Sequence, residues 1–191
     1  MTLETLTPQA APVGDTKVLE VENLSVSYPT RGAPFLAVRN ASFFVERDEV
    51  FGLVGESGSG KSTLCMAVLR LLAANVTCTA DRLTLGGTDL LSLKPSKLRQ
   101  LRWTRLSYIP QGSMGVLNPV MRIRDQFLDT MLDHSDKGLP ADPGAHIEAA
   151  LAGVNLRPLV LDQYPHELSG GMKQRVCIAL SMLLEPELIV A

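Results

Sequence analysis

Residues 50–62 read Val50-Phe51-Gly52-Leu53-Val54-Gly55-Glu56-Ser57-Gly58-Ser59-Gly60-Lys61-Ser62. The last eight fit G-x-x-x-x-G-K-[ST], the spacing of a loop that wraps phosphate groups. The apolar run 50–54 before it predicts a buried parallel strand. Residues 63–74 after it predict a helix with Leu64, Val68, Leu71 and Leu72 on one face. The chemistry needs these residue types. Glycines let the backbone curl round an anion with successive N–H groups pointing inward. The helix N-terminus adds the positive end of its dipole. Lys61 supplies a mobile charge for the β- and γ-phosphates, and the Ser62 hydroxyl is placed to ligate Mg²⁺. The competing reading is an accidental Gly/Ser turn. With glycine at about 7% of average sequence, a chance match in a chain of this length is on the order of one per cent.

Phosphate binding alone does not choose among kinases, GTPases and transport ATPases. A second stretch, Leu168-Ser169-Gly170-Gly171-Met172-Lys173-Gln174-Arg175, opens another helix. Ser169 is a natural N-cap, and Met172, Val176, Ala179, Leu180 and Leu183 form the buried stripe. Read alone, this is either ordinary capping or a second helix start suited to an anion. Together with the phosphate loop, the octet resembles the signature of ATP-binding cassette (ABC) ATPases. The resemblance implies ATP and Mg²⁺ as cofactors. It also implies that two cassettes pair head to tail, with Ser169, Gly170, Gly171 and Gln174 serving ATP held by the partner. On the chain's own loop, Gly55, Glu56, Ser57, Gly58, Ser59, Gly60, Lys61, Ser62 and Thr63 would hold the nucleotide.

Two further positions match the same family. Ser107-Tyr108-Ile109-Pro110-Gln111 reads as a short strand ending in a polar residue; on its own, Gln111 would be an ordinary surface glutamine. The resemblance makes it a ligand of Mg²⁺, beside Ser62, and a residue that positions the attacking water. Tyr28 closes the alternating strand Leu24-Ser25-Val26-Ser27-Tyr28. It is either a strand aromatic or, by the resemblance, the ring that stacks on adenine.

The finer resemblance is to ATPase subunits of bacterial oligopeptide and dipeptide importers. It rests on residues 54–62, on Leu117-Asn118-Pro119-Val120-Met121-Arg122-Ile123 and on residues 168–180, and covers almost everything after Lys17. Arg47-Asp48-Glu49 departs from it, since relatives usually place a glycine before the glutamate; this reads as a turn variant. Met114-Gly115-Val116 departs in the loop that would touch the membrane subunit. The chain closes on Leu188-Ile189-Val190-Ala191, which predicts a buried parallel strand. In the family an aspartate and a catalytic glutamate follow that strand. The resemblance therefore implies a truncated piece of a longer ATPase, inactive by itself. His134, His146 and His166 all precede the strand and do not replace the family's later histidine.

Composition agrees. The net charge is -2 with 46% hydrophobic residues, and aromatics are 5%. No basic excess points to nucleic acid. No apolar stretch is long enough to span a bilayer, and the N-terminus lacks a signal-peptide pattern. Cys65, Cys78 and Cys177 have neither disulfide nor metal spacing.

The expected architecture is an α/β P-loop NTPase. Residues 1–17 form a disordered tail. Residues 18–111 form the nucleotide-binding core, with short strands near 18–21, 24–28, 35–38, 41–45 and 82–85 and a small helix from Pro95. Residues 112–166 form a helical subdomain, with Ile123, Phe127, Met131 and Leu132 on one face and Ile147, Leu151 and Val154 on another. Residues 167–191 return to the core. The expected function is the energy-coupling subunit of a peptide importer, peripheral to the cytoplasmic face of the membrane through permease subunits. Import of nickel or another small solute, and a soluble ATPase without a transporter, are the alternatives.

Overall fold

The computed structural model describes residues 16–112, 115–134 and 140–191. The expected tail lies almost wholly outside them, as do Met114 of the unusual loop and part of the polar stretch after Asp133. Strands are β1 (Lys17–Tyr28), β2 (Phe35–Glu46), β3 (Thr77–Thr79), β4 (Arg82–Leu85), β5 (Thr88–Asp89), β6 (Leu106–Tyr108) and β7 (Leu188–Val190). Helices are α1 (Lys61–Val68), α2 (Pro95–Leu101), α3 (Ile123–Asp133), α4 (Pro143–Gly153) and α5 (Gly170–Met182).

An antiparallel sheet in the order β2-β1-β4-β5, with β3 also paired to β1, carries the first half. The expected strand pairs 18–21/24–28 and 35–38/41–45 each merge into one long strand. Asn23 (φ 52°) and Asn40 (φ 46°) take the left-handed backbone at the two joins, a conformation asparagine tolerates. Asp48 (φ 59°) does the same in the turn after β2, which explains why glycine is the usual residue there. Gly86 and Gly87, both at positive φ, make the two-residue turn between β4 and β5.

One apolar core lies between this sheet and α1, built on Leu19, Val21, Leu24, Val26, Val38, Leu64, Val68, Leu83 and Leu85. A second holds the helical region together through Ile123, Phe127, Met131, Ile147, Leu151, Leu161, Val176 and Leu183. Asp142 caps α4 by accepting from the Ala145 N–H at 3.0 Å. His146 Nε2 lies 2.8 Å from the Leu183 carbonyl, which ties α4 to the end of α5. Leu132, expected on the buried face of α3, is 56% exposed; Phe127 and Met131 already fill that face.

β6 and β7 pair in parallel, Leu106 to Leu188 through Tyr108 to Val190. The strand predicted at the chain's end is therefore present, although half-buried rather than buried. Arg105 joins this pair to the antiparallel sheet. Its guanidinium meets Glu187 bidentately at 2.6 and 2.9 Å and also donates to the Leu85 carbonyl and to Thr88 Oγ1. The Glu187 hydrogen bond raises the Arg105 pKa further.

Two expectations at the start of the site are corrected. Residues 50–54 form no strand. Val50 is 98% and Val54 84% exposed. An apolar run becomes a strand only when a neighbour completes its ladder, and β6 and β7 pair with each other instead. Phe51 is held by stacking on Phe43, with centroids 5.2 Å apart. The helix expected over 63–74 ends at Val68. Arg70 turns left-handed (φ 54°), and the Arg70 and Leu71 N–H groups bond back to Ala67 and Met66. That double closure is a Schellman ending. It turns Leu71 outward to 42% exposure.

Candidate functional site

The loop at 55–62 curls as its glycines require. Gly58 (φ 80°) and Gly60 (φ 93°) adopt the left-handed backbone that side chains resist. Gly60 is fixed twice over, since a Cβ there would stand 2.5 Å from the Ala37 carbonyl oxygen. A turn from the Ser59 N–H to the Glu56 carbonyl closes the loop at 3.2 Å. Gly60 gives α1 no side-chain cap. The Lys61, Ser62 and Thr63 N–H groups precede the first intrahelical bond, Leu64 N–H to Gly60 O at 2.9 Å. These are the orphan donors of a helix start.

Lys61 folds over the loop it follows. Its Nζ donates to the Gly55 carbonyl at 2.8 Å and the Glu56 carbonyl at 2.6 Å, and lies 3.4 Å from Ser59 Oγ. The ammonium is thus held at the mouth of the curl, above backbone amides and beside a helix N-terminus. That donor set suits a polyphosphate: one cation, several N–H groups and a dipole of the right sign. Residues 55–59 and Ser62 are exposed to solvent.

Tyr28 is brought to the same place. Its hydroxyl lies 3.3 Å from Thr63 Oγ1 on the first turn of α1, and its ring is half-buried against the core. Gln111 sits exposed on the turn after β6, whose course is held by Ile109 N–H to Val190 O at 2.8 Å. Ser169 caps α5 as expected, accepting from the Met172 N–H at 3.3 Å. Gly170, Gly171 and Gln174 are exposed on that helix's opening turns. The structure therefore brings Tyr28 to Thr63, on the first turn of the helix that follows the loop. It leaves Gln111 and the α5 start as separate solvent-facing groups.

Sequence reasoning missed two supports. Ala37 lies far from the loop in sequence, and nothing local marks its carbonyl as the wall behind Gly60. Gln126 braces the segment at 117–123: Asn118 N–H donates to its Oε1 at 2.9 Å, and its Nε2 donates to the Asn118 and Met121 carbonyls, both at 3.1 Å. An i,i+8 spacing across Pro119 gives no periodic signal. Among the described residues, no group of three or more His, Cys, Asp or Glu could hold a metal. Burial pushes the Cys65 thiol on α1 up, more strongly than its backbone hydrogen bond lowers it.

A glycine-curled loop, a lysine over its mouth and an uncapped helix behind it define a P-loop nucleotide-binding fold. The family model described as ABC transporter matches residues 38–191, and the chain belongs to that family. Among curated proteins it is 38% identical to the probable D,D-dipeptide transport ATP-binding protein DdpD of Escherichia coli (strain K12). That match covers 91% of this chain and 54% of the relative. It is 36% identical to the dipeptide transport ATP-binding protein DppD of Bacillus subtilis (strain 168), over 92% of this chain and 53% of that one. The chain thus spans about half the length of these relatives. Its fold is similar to a bacterial ABC transporter cassette solved as a dimer, at TM-score 0.75 and 21% identity, covering 90% of this chain and 72% of that one. A solved ATP-binding subunit of an ABC transporter matches at TM-score 0.66 and 26% identity, covering 90% and 64%.

Proposed function

We propose that this chain is the ATP-binding, energy-coupling part of an ABC importer for dipeptides or oligopeptides. The observation that carries the reading is Lys61 Nζ held over the 55–62 curl by the Gly55 and Glu56 carbonyls. A triphosphate is a stronger acceptor than two amide carbonyls, so Lys61 exchanges its loop partners for the β- and γ-phosphates. The Lys61, Ser62 and Thr63 N–H groups then donate to the same anion. Tyr28 sits at the side of the loop where the base belongs. Ser62 and Gln111 would hold Mg²⁺, which when bound would spread the charge that builds on the transferring phosphoryl group. Gln111 also orients the attacking water.

Ser169, Gly170, Gly171 and Gln174 complete the site of a second cassette paired head to tail. Their exposure at the start of α5 supports that role, and the names of the curated relatives support a peptide as the cargo. Val116 just before the Gln126-braced segment and Val120 within it, 57% and 79% exposed, mark the surface that would meet the permease. Among the described residues no helix is long and apolar enough to cross a membrane, so attachment through permease subunits fits. ATP binding closes the pair and hydrolysis reopens it, which drives the permease between its two states.

The test is dipeptide uptake by cells whose own copy of the gene carries Lys61→Ala. Uptake is expected to be lost while the protein's abundance stays normal. Undiminished uptake would remove this chain from peptide import.

A further inference from the structure

A nucleotide bound through its phosphates must also lay its base somewhere, and the ends of β1 and β2 offer a ring for it. Val26 faces Val38, Ser27 faces Leu36 and Tyr28 faces Phe35. Between the first two pairs β2 carries one extra residue, Ala37. Such a bulge resets the alternation of side chains, so Phe35 and Val38 share one face with Val26 and Tyr28. That face is turned toward α1. Val26 and Val38 are buried in the core with Leu64 and Val68, and the Tyr28 hydroxyl meets Thr63. The bulged residue is also the one whose carbonyl walls in Gly60. Phe35 therefore stands two residues from backbone that touches the phosphate loop, on the loop's side of the sheet.

Phe35 is 60% exposed. A lone exposed phenylalanine is ordinary; this one is informative by its position. Tyr28 opposite it is packed against the core and has its hydroxyl engaged. Of the two rings, Phe35 presents the more open apolar surface.

We infer that Phe35 is a nucleobase-contacting residue, which forms with Tyr28 an aromatic wall for the base of a nucleotide whose phosphates rest on the 55–62 loop. The inference rests on the nucleotide-binding reading proposed above. Every base has a π-face, so this contact secures the base without choosing among purines.

Titration of the 191-residue chain with ATP and with inorganic tripolyphosphate tests it. Phe35→Ala is expected to weaken ATP by about five-fold or more, the low end of a base–aromatic stack, and to leave tripolyphosphate within two-fold. Phe35→Trp is expected to keep ATP affinity. If Phe35→Ala weakens neither ligand, or both equally, the inference is overturned; in the second case the ring acts through the loop and not through the base. Lys61→Ala separates the two readings. It is expected to weaken both ligands. If it weakens neither, the phosphate-loop reading fails; if it weakens both while the Phe35 variants bind ATP normally, only the base contact falls.

Discussion

The chain has two glycine-rich helix starts, and they are finished differently. At α1, Gly60 brings a left-handed turn and no cap, the loop behind it curls on two positive-φ glycines, and Lys61 bends back over the curl. At α5, Ser169 caps the first turn in the ordinary way, and Gly170 and Gly171 simply continue the helix. The first gathers amides, a cation and a helix dipole within one peptide segment. The second supplies a capped helix end and a hydroxyl. Two similar sequence signals are thus finished differently, and under the function proposed above the second would serve a nucleotide held by a partner cassette.

The largest expected effect tests that asymmetry directly. Lys61→Ala removes the ammonium from the loop mouth. A charge-assisted contact is worth ~1.5–3 kcal/mol, so ATP affinity of the single chain falls about ten-fold or more. Ser169→Arg in the same assay is expected to leave affinity within two-fold if, as proposed, α5 serves the partner's nucleotide. A fluorescent ATP analogue measures both. Equal losses from the two substitutions would erase the distinction between the two helix starts.

Glycine substitutions sharpen the comparison through stability. Gly60→Ala adds a Cβ 2.5 Å from the Ala37 carbonyl, at φ 93°. Left-handed backbone alone costs roughly 1–2 kcal/mol for a side chain, and the backbone clash adds to it. Gly171→Ala meets nothing within 4 Å inside a helix, where alanine is favoured over glycine by roughly 0.5–1 kcal/mol. Urea unfolding should move in opposite directions for the two variants. A Gly60→Ala protein as stable as its parent would mean that the loop does not press against β2.

Next in size is the joint between the sheets. Glu187 and Arg105 side chains are 29% and 25% exposed, between the surface and buried limits for ion pairs. Glu187→Gln keeps one acceptor and shape; Arg105→Ala removes the whole bracket to Glu187, Thr88 and Leu85. The second is expected to cost about 2 kcal/mol, which lowers Tm by roughly 4–8 °C in a chain of this size, and the first less. Equal melting of Arg105→Ala and the parent would show that β6–β7 is held to the sheet by apolar packing alone.

What was legible in the sequence follows from how local each signal is. The phosphate loop, the Gly86-Gly87 turn and the Ser169 cap are short-range chemistry, and each was read where it stands. Helix faces on α3 and α5 were read from periodicity, apart from Leu132. The two apolar runs at 50–54 and 188–191 looked alike in composition and came out differently. β7 has β6 beside it; the earlier run has no strand partner among the described residues. Hydropathy reports the tendency to be buried, whereas a strand also needs an edge to pair with. The early end of α1 failed for a related reason: Arg70 carries no sign of a left-handed cap, a place usually given to glycine or asparagine. Ala37 behind Gly60, and Phe35 beyond the bulge, depend on a register that only the folded pair β1–β2 sets.

The smallest expected effect concerns the cap that makes α5 an ordinary helix. Ser169 Oγ accepts from the Met172 N–H at 3.3 Å, a long bond on an exposed turn. Losing an N-cap costs typically ~1 kcal/mol, and this geometry belongs at the lower end. The body of α5 is fixed independently by Val176, Ala179, Leu180 and Leu183 in the core. Ser169→Ala should therefore lower the unfolding free energy by about 0.5–1 kcal/mol and leave ATP binding by the single chain unchanged. Ser169→Asp restores the cap, since a carboxylate also accepts from the first-turn N–H groups. Under the proposed head-to-tail pairing, the same aspartate would meet the partner's γ-phosphate with like charge. Urea unfolding of the single chain should thus rank the parent and Ser169→Asp above Ser169→Ala. ATP-dependent pairing of the full-length protein should instead rank Ser169→Asp last. If stability and pairing ranked the three alike, the hydroxyl would be a cap and nothing more, and α5 would not be half of a nucleotide site.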